Sequence, residues 1–227
     1  LKKIKFFNRE YKSFYIPSGY EINGDGSILF GMVRFLKPKK VIEIGGGNST
    51  RVLNLAMDLN ERENSKKNGS SKIISIDPYP SKTLLELLGK SSRIHVISKP
   101  VQKVSKVIFE QLEENDILFI DSTHNIKCGN DVHFLYLEIL PYLAVGVVVH
   151  IHDIRFPQDY PREWIIKRKY FWNEQYLLYM FLCFNDSFKI LFASNYMKLR
   201  YPKEFRKSVE GLEDDGWPGS FWIKRIK

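Results

Sequence analysis

Short apolar runs alternate with amphipathic stretches along most of the chain. Val41–Ile44, Lys72–Ile76, Ile94–Ile97, Ile117–Ile120 and Val147–Ile151 are short runs rich in Ile and Val, bounded by turn or polar residues, and they predict five strands. Helical spacing appears between them. Ser49 and Thr50 open a segment carrying Val52, Leu53, Leu55, Ala56 and Leu59, and Leu84–Leu88 predicts a shorter helix. Apolar residues at 101, 104, 107, 108 and 112 predict a helix over Val101–Leu112, and Val132–Leu143 predicts another, closed by Pro141 and the turn at Gly146. The polar stretch Asn60–Ser71 reads as a mobile surface insertion. After a helical stretch Glu174–Phe184 come Phe188–Ala193 and Ser220–Lys224, expected to pair antiparallel at one sheet edge, with a polar Gly/Pro segment over 214–219 between them.

Strands that are apolar throughout and alternate with helices predict an α/β fold, a mostly parallel sheet covered on both faces. The length of 227 residues suits one domain. Residues 1–24 are expected to form an N-terminal cap segment. The chain starts at Leu1, which fits a trimmed chain or one domain of a longer protein. No apolar run is long enough to span a bilayer, and no apolar stretch with a cleavage site follows the basic first residues, so neither a membrane span nor a signal peptide is expected. Cys128 and Cys183 match no metal-ligand spacing and fit a reducing, cytoplasmic compartment. The net charge of +9 raises the question of a nucleic-acid partner. Much of the excess sits at the ends (Lys2, Lys3, Lys5; Lys224, Arg225, Lys227) and in the turn Lys37–Lys40, a distribution that reads as solvated surface. Nothing in the sequence marks an oligomeric state.

Candidate chemistry gathers at the predicted strand ends, where open α/β sheets bind ligands. The first strand runs into Glu43-Ile44-Gly45-Gly46-Gly47-Asn48-Ser49-Thr50. Gly45 and Gly47 let backbone approach a ligand, the following helix offers its first amides to a carboxylate, and Ser49 is placed to cap that helix. A dinucleotide loop would keep a third glycine where Thr50 stands. Asp77, ending the second strand, is placed to accept hydrogen bonds from ribose hydroxyls. It lies 34 residues beyond Glu43, an excess that the insertion after Asn60 accounts for.

This loop resembles the E-x-G-x-G first motif of class I S-adenosylmethionine-dependent methyltransferases. The resemblance implies a Rossmann-like sheet of seven strands with an antiparallel last strand. It also implies S-adenosylmethionine as cofactor, held by Glu43, Gly45, Gly47, Asn48, Ser49, Asp77 and Asp121.

Asp121-Ser122-Thr123-His124 after the fourth strand and His150-Ile151-His152-Asp153 closing the fifth resemble the centre of metal-assisted small-molecule O-methyltransferases, the group that includes catechol and antibiotic-sugar enzymes. The resemblance implies that Asp121 and Asp153 hold a divalent cation, for which hard carboxylate oxygens favour Mg²⁺. It implies His124 as the base that takes the acceptor's proton, with His152 orienting the acceptor or serving as an alternative base. Ile154 departs from the family, which often has a further oxygen ligand there. Alternation along the strand makes His150 a hydrogen-bonded core residue.

Residues 154–175, with Phe156, Tyr160, Trp164, Tyr170, Phe171 and Trp172 stiffened by Pro157 and Pro161, form a candidate acceptor lid suited to a sugar ring or other flat face. The same aromatics also fit ordinary core or a dimer contact. The segment Ile151–Trp164 looks like a bacterial-type methyltransferase family found near glycan or natural-product pathways, a resemblance that runs from about Gly24 to Phe192 and is densest between Asp121 and Gln175. Together these implications read as an O-methyltransferase acting on a hydroxyl of a small or glycan-linked acceptor, with nucleic acid not the expected partner. An RNA methyltransferase and a non-catalytic cofactor-binding module of a multidomain protein are the competing readings.

Overall fold

The computed structural model describes residues 24–63, 71–209 and 216–227. The expected cap segment, apart from Gly24, therefore lies outside the described residues, as do residues 64–70 of the polar stretch and Asp214–Asp215 of the tail. Seven strands form one sheet: β1 (Lys40–Ile44), β2 (Lys72–Ile76), β3 (Ile94–Ile97), β4 (Ile117–Ile120), β5 (Val148–Ile151), β6 (Phe188–Ala193) and β7 (Phe221–Arg225). Their spatial order is β3-β2-β1-β4-β5-β7-β6. The first five are mutually parallel, and β7 runs antiparallel between β5 and β6. This is the Rossmann-like sheet the sequence predicts. The two last strands pair antiparallel at one edge of the sheet, as expected, with β6 outermost and β7 beside β5.

Alternation along each strand divides the core in two. Val41, Ile73, Ile117, Phe119, Val148 and Trp222 point to one face, where they meet helices α1 (Asp25–Leu36) and α2 (Asn48–Glu63). Ile42, Leu118, Ile120, Val149, Ile151 and Ile223 point to the other, against the helical segment after Asn130 and against α6 (Glu174–Leu182). Period-two side-chain geometry on a sheet buried on both sides requires such a division. The remaining helices are α3 (Lys82–Leu88), α4 (Asp131–Phe134), α5 (Arg162–Ile166), α7 (Ser194–Arg200) and α8 (Pro202–Ser208). Among the described residues, no helix is long and apolar enough to cross a membrane.

The structure departs from the pattern-based expectations in four places. Val101–Leu112 is not one α-helix but two 3₁₀ turns, Val101–Lys103 and Lys106–Gln111, broken by extended Val104 and Ser105. Apolar residues three apart fit a 3₁₀ turn as well as an α-helix. The predicted helix after Val132 changes pitch: α4 runs into a π turn, Leu135–Ile139, and then a 3₁₀ turn, Leu140–Tyr142, at Pro141, which has no N–H to give. Asn60 does not open a surface insertion. α2 continues to Glu63, and Asn60 is buried with its Nδ2 donating to the Val33 carbonyl, 3.0 Å away, so it ties α2 to α1. Finally α1, α7 and α8 were invisible to periodicity. α1 is apolar nearly all round because most of it is buried, so it shows no stripe.

Asp116, at the foot of β4, holds the opposite end of the sheet from the strand ends discussed below. Its buried carboxylate accepts backbone N–H bonds from Lys39 and Lys40 at 2.9 Å and from Glu113 at 3.0 Å. Asp116→Ala strands these donors and is expected to cost about 2–4 kcal/mol of unfolding free energy. Urea denaturation reads this directly, and a loss below about 1 kcal/mol would show that water replaces the carboxylate without penalty.

Candidate functional site

The strand order reverses between β1 and β4, and the chain leaves these strands toward opposite faces of the sheet, to α2 after β1 and to the helical segment beyond Asn130 after β4. Crevices at such switch points, outside the carboxyl ends of the strands, are where open α/β sheets take ligands. Gly45 turns the chain there with φ +80°, and a Cβ on it would lie 2.5 Å from the Asp121 carbonyl oxygen. Gly46 is equally constrained, since its Cβ would meet the Ser75 hydroxyl at 2.2 Å and Leu84 at 2.6 Å. Gly47 differs: the nearest atom to its Cβ position is the Ser81 hydroxyl at 3.6 Å, so this side of the loop is open. Two of the three glycines thus serve packing, and only Gly47 leaves room for a ligand's approach.

Glu43 stands beneath the loop, fully buried. Its oxygens accept hydrogen bonds from the Ser49 hydroxyl at 2.7 Å and the Thr50 hydroxyl at 2.6 Å. The Thr50 hydroxyl in turn accepts from the Gly47 N–H at 2.9 Å. The expected roles change accordingly. Ser49 is not a cap but lies inside α2 and braces Glu43, and Glu43 shapes the turn from below instead of facing the crevice. Burial raises the Glu43 pKa to about 7, against the lowering pull of Thr50, Ser49 and Ser75. Asn48 opens α2, half-buried. Asp77 ends β2, and its carboxylate steadies the loop by accepting from Gly46 N–H at 3.3 Å and Tyr79 N–H at 2.8 Å.

A second cluster lies beside the first, on the loops after β4 and β5. His124 is buried, with each ring nitrogen aimed at carboxylate. Nδ1 is 2.8 Å from Glu174 Oε2, while Nε2 is 3.2 Å from Asp121 Oδ1 and 3.6 Å from Asp153 Oδ2. His152 Nε2 stands 3.5 Å from Asp153 Oδ1. Both His124 (φ +56°) and Asp153 (φ +55°) have left-handed backbone, a strained state for residues with a side chain. Hydrogen bonds impose it. The His124 carbonyl accepts from the N–H groups of Asn173 (2.9 Å) and Glu174 (3.1 Å), and Ile154 N–H donates to the Gly219 carbonyl at 3.0 Å.

The charges follow from these contacts. Burial opposes a charged His124, but the hydrogen bonds it donates to the Asp121 and Glu174 carboxylates outweigh it and lift the imidazole well above the usual histidine range. These contacts favour the protonated imidazole. Burial opposes the charge on Asp121 as well, yet the neighbouring His152 and His124 hold its carboxyl below the usual range. His152 is raised, since the carboxylates of Asp153, Asp121 and Asp25 outweigh its burial. His150 is neutral core: burial and the charge of His152 lower it, it stacks on Phe119 at 4.2 Å, and Nε2 meets the Ser220 hydroxyl at 3.3 Å.

This geometry corrects the metal assignment. Among the described residues no three or more His, Cys, Asp or Glu side chains are arranged to hold a metal ion. Asp121 and Asp153 instead share the edge of the His124 ring, whose positive charge takes the place that a cation would need between them. Mg²⁺ does not fit this donor set. The same carboxylates favour a protonated ring, so a base at His124 must first lose a proton.

Several members of the site escaped the sequence reading. Fully buried Glu174 orders His124 and also accepts from the Ser122 hydroxyl at 3.0 Å. Asp25, at the start of α1, accepts from Gly219 N–H (3.1 Å), Ser220 N–H (3.1 Å) and the Ser220 hydroxyl (2.8 Å). A Cβ on Gly219 would lie 2.9 Å from the Asp153 Cα, so this contact requires glycine. Glu174 reads as the first residue of a helix, and no spacing links it or Asp25 to the strand ends.

The candidate lid splits in two. Phe156 packs on Phe221 and Tyr179 and lines an apolar groove of about 860 Å³ between the post-β5 loop, α6 and β6. Tyr160 and Trp164 are buried, and Trp172 packs on His124 with ring centroids 4.5 Å apart. Phe171 remains exposed.

Residues 42–154 match the family model of a methyltransferase domain. An uncharacterised protein of Archaeoglobus fulgidus is 34% identical over 103 residues, which cover 43% of this chain and 44% of that relative. The chain thus spans less than half the length of this relative. Among solved structures, a Thermobifida fusca protein provisionally assigned as a methyltransferase superposes with a TM-score of 0.52 at 15% identity, covering 90% of this chain and 80% of that one. OxaC, solved with SAH and oxaline, gives a TM-score of 0.50 at 11% identity, covering 91% of this chain and 48% of its own. At these identities the likeness is one of fold.

Glu43 supplies a test of the loop. An acid whose folded pKa exceeds its unfolded value stabilises the fold fully below the unfolded pKa, about 4.5, and that contribution is lost as pH rises through about 7. Glu43→Gln removes the ionisation while keeping the shape. Its unfolding free energy, measured in urea from pH 5 to 8.5, is expected to decline less with pH than that of the parent chain. Parallel curves for the two proteins would place Glu43 in a solvated setting.

Proposed function

The chain belongs to the class I S-adenosylmethionine-dependent methyltransferases, and from that premise we infer that it transfers a methyl group from S-adenosylmethionine to a hydroxyl of a small-molecule acceptor. One observation carries the reading: adjoining strand ends hold both an open glycine loop with an acid beside it and a histidine set among carboxylates. The residues fit the cofactor. The open face at Gly47, the N-terminus of the 16-residue α2 and the half-buried Asp77 offer what a nucleoside linked to an amino acid requires. Asp77 would hold ribose hydroxyls, and the Gly47–Asn48 amides would face the amino-acid carboxylate. The cofactor supplies an electrophilic methyl on a sulfonium.

The work left to the chain is alignment and proton handling. Asp121 lies between the two clusters, since Gly45 packs on its backbone and its carboxylate meets His124. Asp153 and His152 border the same space from β5 and are placed to orient the acceptor's hydroxyl. His124 takes the hydroxyl proton in its neutral form, with Glu174 fixing the ring through Nδ1 so that Nε2 faces Asp121 and Asp153. Because the resting imidazole is charged, it must first lose its proton, so the rate rises with pH through the raised His124 pKa. OxaC's complex with SAH and oxaline supports a small-molecule acceptor by analogy of fold. A sugar or glycan acceptor rests on the sequence resemblance alone.

Two variants separate the roles. Asp77→Ala should weaken S-adenosylhomocysteine binding about ten-fold or more in calorimetry, because a hydrogen bond to a charged group is lost. Unchanged affinity in a folded variant would remove Asp77 from the site. His124→Ala should lower turnover about 10²–10⁴-fold with cofactor affinity nearly unchanged. The parent's acid limb should lie above pH 6.5 and vanish in the variant. A surviving limb would move the base to His152, and labelled methyl recovered only on nitrogen or carbon acceptors would end the O-methylation reading.

A further inference from the structure

Asp25 opens α1, which packs on the face of the sheet opposite α6, yet its carboxylate reaches the segment that enters β7. Its two oxygens accept the Gly219 N–H at 3.1 and 3.2 Å, and Oδ1 also accepts the Ser220 N–H at 3.1 Å and the Ser220 hydroxyl at 2.8 Å. A buried carboxylate satisfied by three donors of one dipeptide fixes that dipeptide in place. The Ser220 hydroxyl, having given its proton to Asp25, is left to accept from His150 Nε2 at 3.3 Å. Ser194 holds the same segment from another side. Its hydroxyl donates to the Pro218 carbonyl at 2.9 Å, and its N–H donates to the Ser220 carbonyl at 3.0 Å.

What this segment touches is Asp153. The Gly219 carbonyl accepts from Ile154 N–H at 3.0 Å. A Cβ on Gly219 would stand 2.9 Å from the Asp153 Cα, 3.1 Å from its nitrogen and 3.1 Å from Oδ1. Asp153 has left-handed backbone, so contacts from outside its own loop must sustain it. Its carboxylate meets both His124 Nε2, at 3.6 Å, and His152 Nε2, at 3.5 Å. Burying a charged carboxylate such as Asp25 is costly, and burial raises its pKa against the pull of His152, Ser220 and Gly219. What that cost secures is the place of Gly219 against Asp153.

We propose that Asp25 is a positioning residue for methyl transfer: by holding Gly219 and Ser220 it sets where the Asp153 carboxylate stands beside His124 and His152. The purpose of this placement, orienting an acceptor hydroxyl, rests on the methyl-transfer reading, whereas the placement itself does not.

Histidine ring signals in ¹⁵N-labelled protein test it without an acceptor. In Asp25→Asn, which keeps the size and loses the charge, the His124 and His152 signals should move by more than a linewidth. Those of His95, on β3, and His133, on α4, should stay. His152 feels the Asp25 charge directly, so His124 decides, because its ring nitrogens face Asp121, Asp153 and Glu174 instead. Asp116→Ala removes a buried carboxylate at the other end of the sheet and should leave both signals in place. Gly219→Ala retains Asp25 but drives a methyl group against Asp153, so it should move the same two signals. Urea denaturation confirms that each variant is folded, with Asp25→Ser in reserve should asparagine prevent folding. An unmoved His124 in a folded Asp25 variant or in Gly219→Ala, or the same movement in Asp116→Ala, overturns the proposal. S-adenosylhomocysteine calorimetry on these samples separates the two readings, and Asp25→Asn should bind within about two-fold of the parent chain. A parent that binds none defeats the methyl-transfer reading, while the ring signals still decide the placement. A loss of about ten-fold in the variant alone assigns Asp25 to the cofactor side and overturns the proposal.

Discussion

The contact of the His124 ring with three carboxylates is the constraint on which the rest of the site depends. Glu174 comes from α6, Asp121 from the end of β4 and Asp153 from the end of β5, and no other described side chain reaches all three. Three buried or half-buried acids in one place would repel one another and lose their hydration. A charged imidazole among them makes the arrangement stable, and they make the imidazole charged. The left-handed backbone at His124 and Asp153 follows from this mutual demand, since each loop must bend sharply to bring its side chain to the same point. Strain at both residues is local, and the surrounding hydrogen bonds from α6 and from Gly219 sustain it.

A similar division of labour governs the glycine loop. Glu43, Ser49 and Thr50 form a buried brace beneath it, while the outward side at Gly47 stays open. The two clusters are not independent, because the Asp121 backbone packs on Gly45 and the Asp121 side chain meets His124. A shift in the glycine turn therefore displaces the carboxylate that faces the acceptor. Cofactor and acceptor sites joined through one residue are well suited to in-line transfer, where small misplacements are costly.

Much of this was legible in the sequence, for identifiable reasons. The parallel strands were clear because burial on both faces leaves them apolar throughout, and β2, β3 and β4 begin and end where the runs do. The glycine loop, Asp77, Asp121, His124 and Asp153 were found because strand ends concentrate ligand chemistry. What was lost depends on side chains meeting across long separations. Glu174 is 50 residues from His124, and Asp25 is 194 residues from Gly219. Neither leaves a trace in spacing. Charge was misjudged for the same reason: the family pattern suggests a metal between two aspartates, but only the folded chain shows the imidazole already between them. The polar run after Asn60 misled in a simpler way, since one buried asparagine inside a helix resembles the start of a loop.

The placement of β7 has a consequence for how the protein is made. Of the seven strands it leaves the ribosome last, yet it lies between β5 and β6 and brings Gly219 and Ser220 to Asp25 and Asp153. Cut after α8, the chain would keep the pairings of β1 to β5, but β6 would lack its neighbour and the loop after β5 would lose its contact with Gly219. Such a product retains every acid and imidazole of the site without the backbone and hydroxyl groups that hold Asp25 and crowd Asp153.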